Sequence, residues 1–277
     1  MIDHCIATII CDNRAMQPGL QTEHGLSVLI QADKKHILFD TGQGTTVLHN
    51  ARALGLLFEK VEAIVISHGH YDHTGGLGLL LEQCPNAKIF INPSALATRY
   101  SIAPGAQPRS IGMPEEVKTH LEKVPERIVW VTAPLELLPD FWITGPIPRP
   151  MPVEGWENRF FLDPEGTIPD HILDEQALFI KTAKGVSVIL GCTHAGVANT
   201  LSHIAALVGE KEKRHLVLGG LHLASANPEN MDRAMQALTD FNAEKIAPCH
   251  CSGDGFMTKA AERPGFLACG AGIKLNI

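Results

Sequence analysis

The chain has 277 residues, 45% of them hydrophobic and 19% charged, which is ordinary globular usage and argues against disorder. That length buries a sizeable core without help from disulfides. A formal charge of −7 carries no electrostatic footprint for nucleic acid, and no apolar run reaches the ~18 residues that suggest a membrane span.

The first residues, MIDHCIATIICDN, carry Asp3 and no basic cluster ahead of a short apolar run, so they read as a strand and not as a signal peptide. Strand-like runs at 6–11, 26–32 and 35–39, with turn signals at Pro18-Gly19 and Asp33, predict antiparallel pairing. A buried strand follows at 61–67, then a helix at 74–83 and a short strand at 88–92. From about 93 to 170 the pattern loosens and prolines are dense. Short strands are expected there near 127–132 and 141–144. Trp130, Phe141, Trp142 and Trp156 are costly to leave in water, so this stretch is expected to form a lid-like insertion over a site. The second half predicts a hairpin of 177–182 with 186–190 and a helix at 197–208. A strand at 215–218 comes next, then a helix carrying Met231, Ala234, Met235, Leu238 and Phe241 in register, and a strand at 245–248. No linker is visible. The expected architecture is one α/β domain over 1–277, an αββα sandwich of two packed mixed sheets with outer helices.

Fourteen histidines stand against two tyrosines, and histidine is the commonest metal ligand and proton shuttle. The seven cysteines, at 5, 11, 84, 192, 249, 251 and 269, are scattered and odd in number. They predict a reducing, cytoplasmic setting instead of a disulfide framework. The strongest chemistry lies in Ser67-His68-Gly69-His70-Tyr71-Asp72-His73, at the end of a buried strand. His68 and His70 are two apart and point the same way in extended geometry. Asp72 and His73 follow as the chain bends into a helix. Ligands from the strand end and from the helix start could therefore face different ions. Imidazole with carboxylate suits Zn²⁺, Mn²⁺ or Fe²⁺.

This HxHxDH spacing after a strand resembles the metallo-β-lactamase superfamily. The resemblance implies an αββα fold with one or two divalent ions, Zn²⁺ above all, at the edge where the sheets meet. It implies that Asp40, in Phe39-Asp40-Thr41-Gly42, orients the metal site through its ligands. Cys192, in Gly191-Cys192-Thr193-His194, stands where the superfamily places a bridging Asp or a Cys, and His250 matches the final His motif. The implied metal set is His68, His70, Asp72, His73, Cys192, His194 and His250. Cys192 reads equally as a small buried hydrophobe. The superfamily's third motif is less clear: either His171 or His194 completes the first metal site. His194 is preferred because it leaves a strand end beside Cys192. Asp170, Asp174 and Glu175, beside His171, could be solvated loop charges.

The blocks at 22–27, 39–43, 67–77, 191–200, 219–223 and 248–253 are together similar to one branch. It is the branch of 7,8-dihydropterin-6-yl-methyl-4-(β-D-ribofuranosyl)aminobenzene 5′-phosphate synthases. That resemblance implies a metal-dependent enzyme acting on an anionic, phosphorylated or pterin-like small molecule. The reaction would be attack by metal-bound water, as in a hydrolase, or diphosphate displacement, as in a transferase. Asp72 would serve as ligand and as base, and His222, at its own strand end, could give a proton to a leaving group. Glu23, His24 and Arg149 are candidate substrate contacts, Arg149 because a guanidinium suits phosphate. Trp142, Trp156, Phe160 and Phe161 could stack a flat ring or hold the loop down. A di-iron redox protein and a non-catalytic metal or ligand sensor are the competing classes.

Overall fold

The computed structural model describes residues 2, 4–33, 35–155 and 157–277. Two mixed sheets face each other. The first has seven strands in the order Lys274–Asn276, Cys5–Cys11, Ser27–Ala32, Lys35–Phe39, Val61–Val65, Lys88–Ile91 and Ile128–Trp130. Its first four strands pair antiparallel and the rest parallel. The second has six strands in the order Lys245–Cys249, Arg214–Gly220, Gly185–Leu190, Leu178–Thr182, Phe141–Ile143 and Leu135–Leu138. Its first three are parallel.

The nearly unbroken apolar runs follow from this layering, since each central strand is buried on both faces. In Ser27–Ala32, Val28 and Ile30 enter the core between the sheets, while Leu29 faces the outer layer. Helices Thr46–Ala53, Leu77–Gln83 and Glu115–Glu122 cover the outer face of the first sheet. Helices Val197–Val208, Pro228–Asp240 and Asp254–Ala260 cover the second. Helix Pro228–Asp240 starts where sequence rules place it: the Asn227 side chain accepts from Asn230 N, and Pro228 occupies the first turn. The αββα order is as expected.

Several expectations change in detail. The helix expected at 74–83 is two pieces, Tyr71–Thr74 and Leu77–Gln83, parted at Gly75-Gly76. Both glycines lie so close to the Asp40 loop that a Cβ would sit 2.1 Å from Gln43 O or Thr41 O. The Pro-rich stretch divides its residues. Ile128–Trp130 closes one edge of the first sheet, and Leu135–Leu138 and Phe141–Ile143 close an edge of the second. Tyr100–Ser101, Arg109–Ser110 and Phe160–Phe161 form a separate three-stranded sheet. Trp130 is 48% exposed on its edge strand, against the expectation that it would be covered. Phe141 is buried, and Trp142 stacks on Phe179 on the outer face of the second sheet. Trp156 lies outside the described residues. No helix among the described residues is long and apolar enough to cross a membrane.

Candidate metal centre

The two sheets bring their strand ends together at one edge. Phe39 leads into Asp40, Val65 into Ser67-His68, Leu190 into Cys192, Gly220 into His222, and Cys249 into His250. Four of these exits turn through a left-handed backbone at a residue that is not glycine: Asp40 (φ 58°), Thr193 (66°), His222 (49°) and His250 (53°). Each such residue costs of order 1 kcal/mol or more and persists only where its surroundings hold it. Gly191 lets the sheets approach, since a Cβ there would lie 2.3 Å from Ser67 Oγ.

Asp40 is fully buried and organises the HxHxDH turn. Its Oδ1 accepts from Ser67 N at 2.7 Å, and its Oδ2 accepts from Ser67 Oγ and from His73 Nδ1, both at 2.7 Å. A carboxylate only accepts, so His73 donates from Nδ1 and turns Nε2 toward Cys192 Sγ, 3.1 Å away. Ser67 spends its hydroxyl proton on Asp40. Its oxygen, 2.9 Å from His68 Nδ1, therefore accepts from that ring, and His68 Nε2 turns toward His70 Nδ1. On the far side, Asn13 Oδ1 accepts from His250 Nδ1 at 3.0 Å, which frees His250 Nε2. Three rings thus turn Nε2 inward, each through a partner behind it.

Two donor groups result. Asp72, His73, Cys192 and His250 bring one donor atom each to within 4.8 Å of one another, and so do His68, Cys192 and His194. Cys192 belongs to both. His70 stands beside the second group, its Nδ1 2.9 Å from His68 Nε2 and its ring 4.9 Å from that of His194. Asp72 Oδ2 lies 3.3 to 3.5 Å from Nε2 of His24, His250 and His73. Burial opposes its charge, but His73 and His250 hold its carboxyl well below the usual range. Burial pushes His68, His70 and His194 well below the ordinary imidazole value, which keeps them in the neutral form that ligates. His70 Nε2, His194 Nε2 and His250 Nε2 are buried with no hydrogen-bond partner. Such atoms cost about 1–3 kcal/mol each unless something binds them, so this donor set fits one or two divalent ions.

The remaining candidate residues divide. His194 is buried in the centre, whereas His171 is exposed on its loop. His24 lines the cavity above the centre. Glu23 instead ties the loop, its Oε1 accepting from Gln43 N at 2.8 Å. Arg149 does not line the cavity; it donates to Ile172 O at 2.7 Å. Asp170, Asp174 and Glu175 are buried, so the solvated reading is corrected. Arg99, itself 2% exposed, pairs with Asp170 at 3.2 Å and Asp174 at 2.5 Å. Asp174 Oδ2 accepts from Gly69 N at 2.7 Å, between the two histidines, and Glu175 accepts from His194 N and Ala195 N.

The cavity holds about 640 Å³ and has Asp72, Cys192, His194 and His250 of the donor groups in its wall. Phe160 sits 5.6 to 6.1 Å from the rings of His70, His194 and His222. Arg159 lies over Phe160 and Arg109 over Tyr71, at 5.4 and 5.6 Å. Arg14 lines the same cavity and pairs with Asp254. Sequence reasoning missed Arg14, Arg109 and Arg159, because nothing in their local sequence separates them from solvated arginines. It also missed Asn13, Ser67 and Arg99, which act only through contacts distant in the chain.

The sequence profile of the metallo-β-lactamase superfamily matches residues 21–177. The 7,8-dihydropterin-6-methyl-4-(beta-D-ribofuranosyl)-aminobenzene-5'-phosphate synthase of Methanocaldococcus jannaschii is 29% identical over 259 residues, spanning 90% of this chain and 87% of that one. An uncharacterised protein of the same organism is 31% identical over 262 residues, spanning 94% and 95%. Among solved structures, Tm1679, a metal-dependent hydrolase of the β-lactamase superfamily, matches with a TM-score of 0.81 at 31% identity over 99% of each chain.

Proposed function

We propose that this chain, which belongs to the metallo-β-lactamase superfamily, is a metal-dependent enzyme that cleaves a phosphoester-type bond in an anionic, ring-bearing small molecule. One observation carries the reading. Two donor groups sharing Cys192 reach, through Asp72, Cys192, His194 and His250, the wall of a cavity that also presents Arg14, Arg109 and Arg159 beside the aromatic faces of Tyr71 and Phe160. Asp72, His73 and His250 would hold one ion, and His68, His70 and His194 the other, with Cys192 between them. When bound, such ions supply a Lewis acid for a phosphoryl oxygen and an acidified water as nucleophile.

The chain's own groups do the rest. Guanidinium forks at the rim bind and orient the anion, and Phe160 and Tyr71 offer flat faces to a ring. Asp72, whose Oδ2 lies 3.3 to 3.5 Å from three ring nitrogens, would serve as ligand and as base to the nucleophile. His222 is suited to giving a proton to the leaving oxygen. Its ring lines the cavity 4.2 Å from that of His194, and although burial opposes its charge, the neighbouring Cys251, Glu157 and Glu175 raise its pKa above the ordinary imidazole value. The similarity to a protein named as a pterin-related synthase supports a second reading. In it the same arginines and His222 would serve a departing diphosphate while an amine or ring carbon attacks.

The test begins with metal content and the visible spectrum of the purified protein. We expect one to two colourless divalent ions per chain. Turnover of bis(p-nitrophenyl) phosphate, and of a pterin diphosphate offered with an aminobenzene ribosyl phosphate, then separates the two readings. His68→Ala and His250→Ala should each lower metal content and abolish turnover. Full activity in both variants would overturn the assignment, and two iron atoms with a ligand-to-metal band would replace it with redox chemistry.

A further inference from the structure

We infer that Cys251 and His222, together with Cys192, form a third, thiolate-rich metal position beside the two donor groups, and that an additional thiophilic divalent ion bound there inhibits the enzyme by occupying His222. The inference rests on the reading of His222 as proton donor. Neither of the two groups described above uses Cys251 or His222. Yet Cys192, His222 and Cys251 also bring one donor atom each to within 4.8 Å of one another. Tetrahedral zinc with bonds of about 2.0–2.3 Å places its donors roughly 3.3–3.8 Å apart, so small side-chain rotations close the set.

The thiol is held in place. His222 N donates to Cys251 Sγ at 3.3 Å, and Sγ lies 3.6 Å from Cys192 O, to which it donates. Room for it is kept by Gly220, where a Cβ would sit 2.6 Å from that sulfur. The imidazole is held as well. His222 has a left-handed backbone, and Gly155 packs so closely that a Cβ there would lie 2.0 Å from His222 O. Both ring nitrogens of His222 are buried and without a hydrogen-bond partner. Glu157 Oε1, 4.0 Å from Nε2, is placed to complete the set as a fourth donor. Two sulfurs and one imidazole select Zn²⁺ or Cd²⁺ over Mg²⁺ or Mn²⁺. As the ion binds, the Cys251 thiol and the ligating nitrogen of His222 give up their protons to solvent, and each supplies a lone pair. The ring can then no longer serve a leaving group.

The experiment is equilibrium dialysis of the full chain, stripped of metal and kept reduced by a phosphine, against increasing Zn²⁺. Bound ions are counted for the wild type, Cys251→Ser and Cys251→Ala. The same proteins loaded with Co²⁺ report the thiolate-to-cobalt charge-transfer band, and bis(p-nitrophenyl) phosphate turnover is followed as Zn²⁺ rises. We expect the wild type to take one weakly held ion more than either variant and to gain charge-transfer intensity with it. Its turnover should fall at least tenfold as that ion binds, while each variant, whatever its zinc-free rate, should show no such further fall. Equal stoichiometry, equal spectra and equal zinc response in all three proteins would overturn the inference while leaving a two-ion centre intact. Failure of the wild type to hold even the first ions would overturn the metal-centre reading as well.

Discussion

Replacing Asp40 by asparagine tests whether a buried hydrogen-bond relay sets the proton positions of the centre. The carboxylate accepts three hydrogen bonds, all at 2.7 Å, from Ser67 N, Ser67 Oγ and His73 Nδ1. In Asp40→Asn the amide oxygen still meets Ser67 N, but an NH₂ group now faces the other two. It donates to His73 Nδ1, so that ring must carry its proton on Nε2, the nitrogen 3.1 Å from Cys192 Sγ. It also donates to Ser67 Oγ, whose hydroxyl turns to donate to His68 Nδ1, and His68 shifts its proton to Nε2 in turn. One isosteric change therefore blocks a ligand in each donor group. Loss of such a supporting partner typically costs 10–100-fold in metal affinity, about 1.4–2.7 kcal/mol per position.

Competition against a chromophoric chelator measures both affinities, and urea unfolding of the metal-free proteins separates binding from folding. Ser67→Ala breaks only the His68 branch, so it should weaken the group of His68 and His194 and spare that of Asp72, His73 and His250. Wild-type affinity at both positions in Asp40→Asn would refute the relay.

Three further outcomes follow from the same contacts. Arg99→Met leaves Asp170 and Asp174 buried without their cation and should destabilise the chain by about 3–5 kcal/mol in urea unfolding; an unchanged midpoint would show that the pair is structurally idle. Arg109→Ala and Arg159→Ala should each raise KM for an anionic substrate several-fold, less so at high salt, with kcat nearly unchanged, whereas Arg149→Ala should leave KM alone; the opposite pattern would restore Arg149 as the phosphate contact. Burial pushes the Cys5 and Cys84 thiols up to about 12. They should therefore resist iodoacetamide at pH 8 in the folded protein and react once it is unfolded, as peptide mass mapping would show.

Much of the architecture is legible in the chain because burial on both faces leaves long apolar runs, as in 26–32 and 186–190, and because helix 197–208 repeats its apolar residues at helical spacing. The HxHxDH block is legible for a related reason. Its donors are neighbours in sequence, so their shared direction follows from strand geometry alone. Cys192, His194, His222 and His250 could be named as strand-end residues. That they meet was decided by the parallel order of three strands in the second sheet, which sets their ends side by side.

The supporting contacts were not legible. Asp40 reaches Ser67 and His73, Asn13 reaches His250, and Arg99 reaches Asp174 across separations that no local pattern records. The rim arginines and the place of Cys251 beside His222 likewise exist only once the sheets have packed. Local sequence determined which residue types could bind an ion, through the short-range geometry of strand and turn. Tertiary structure decided which of their nitrogens and sulfurs are bare and facing one another, because a side chain's proton and direction are set by the partner behind it, and that partner comes from elsewhere in the chain.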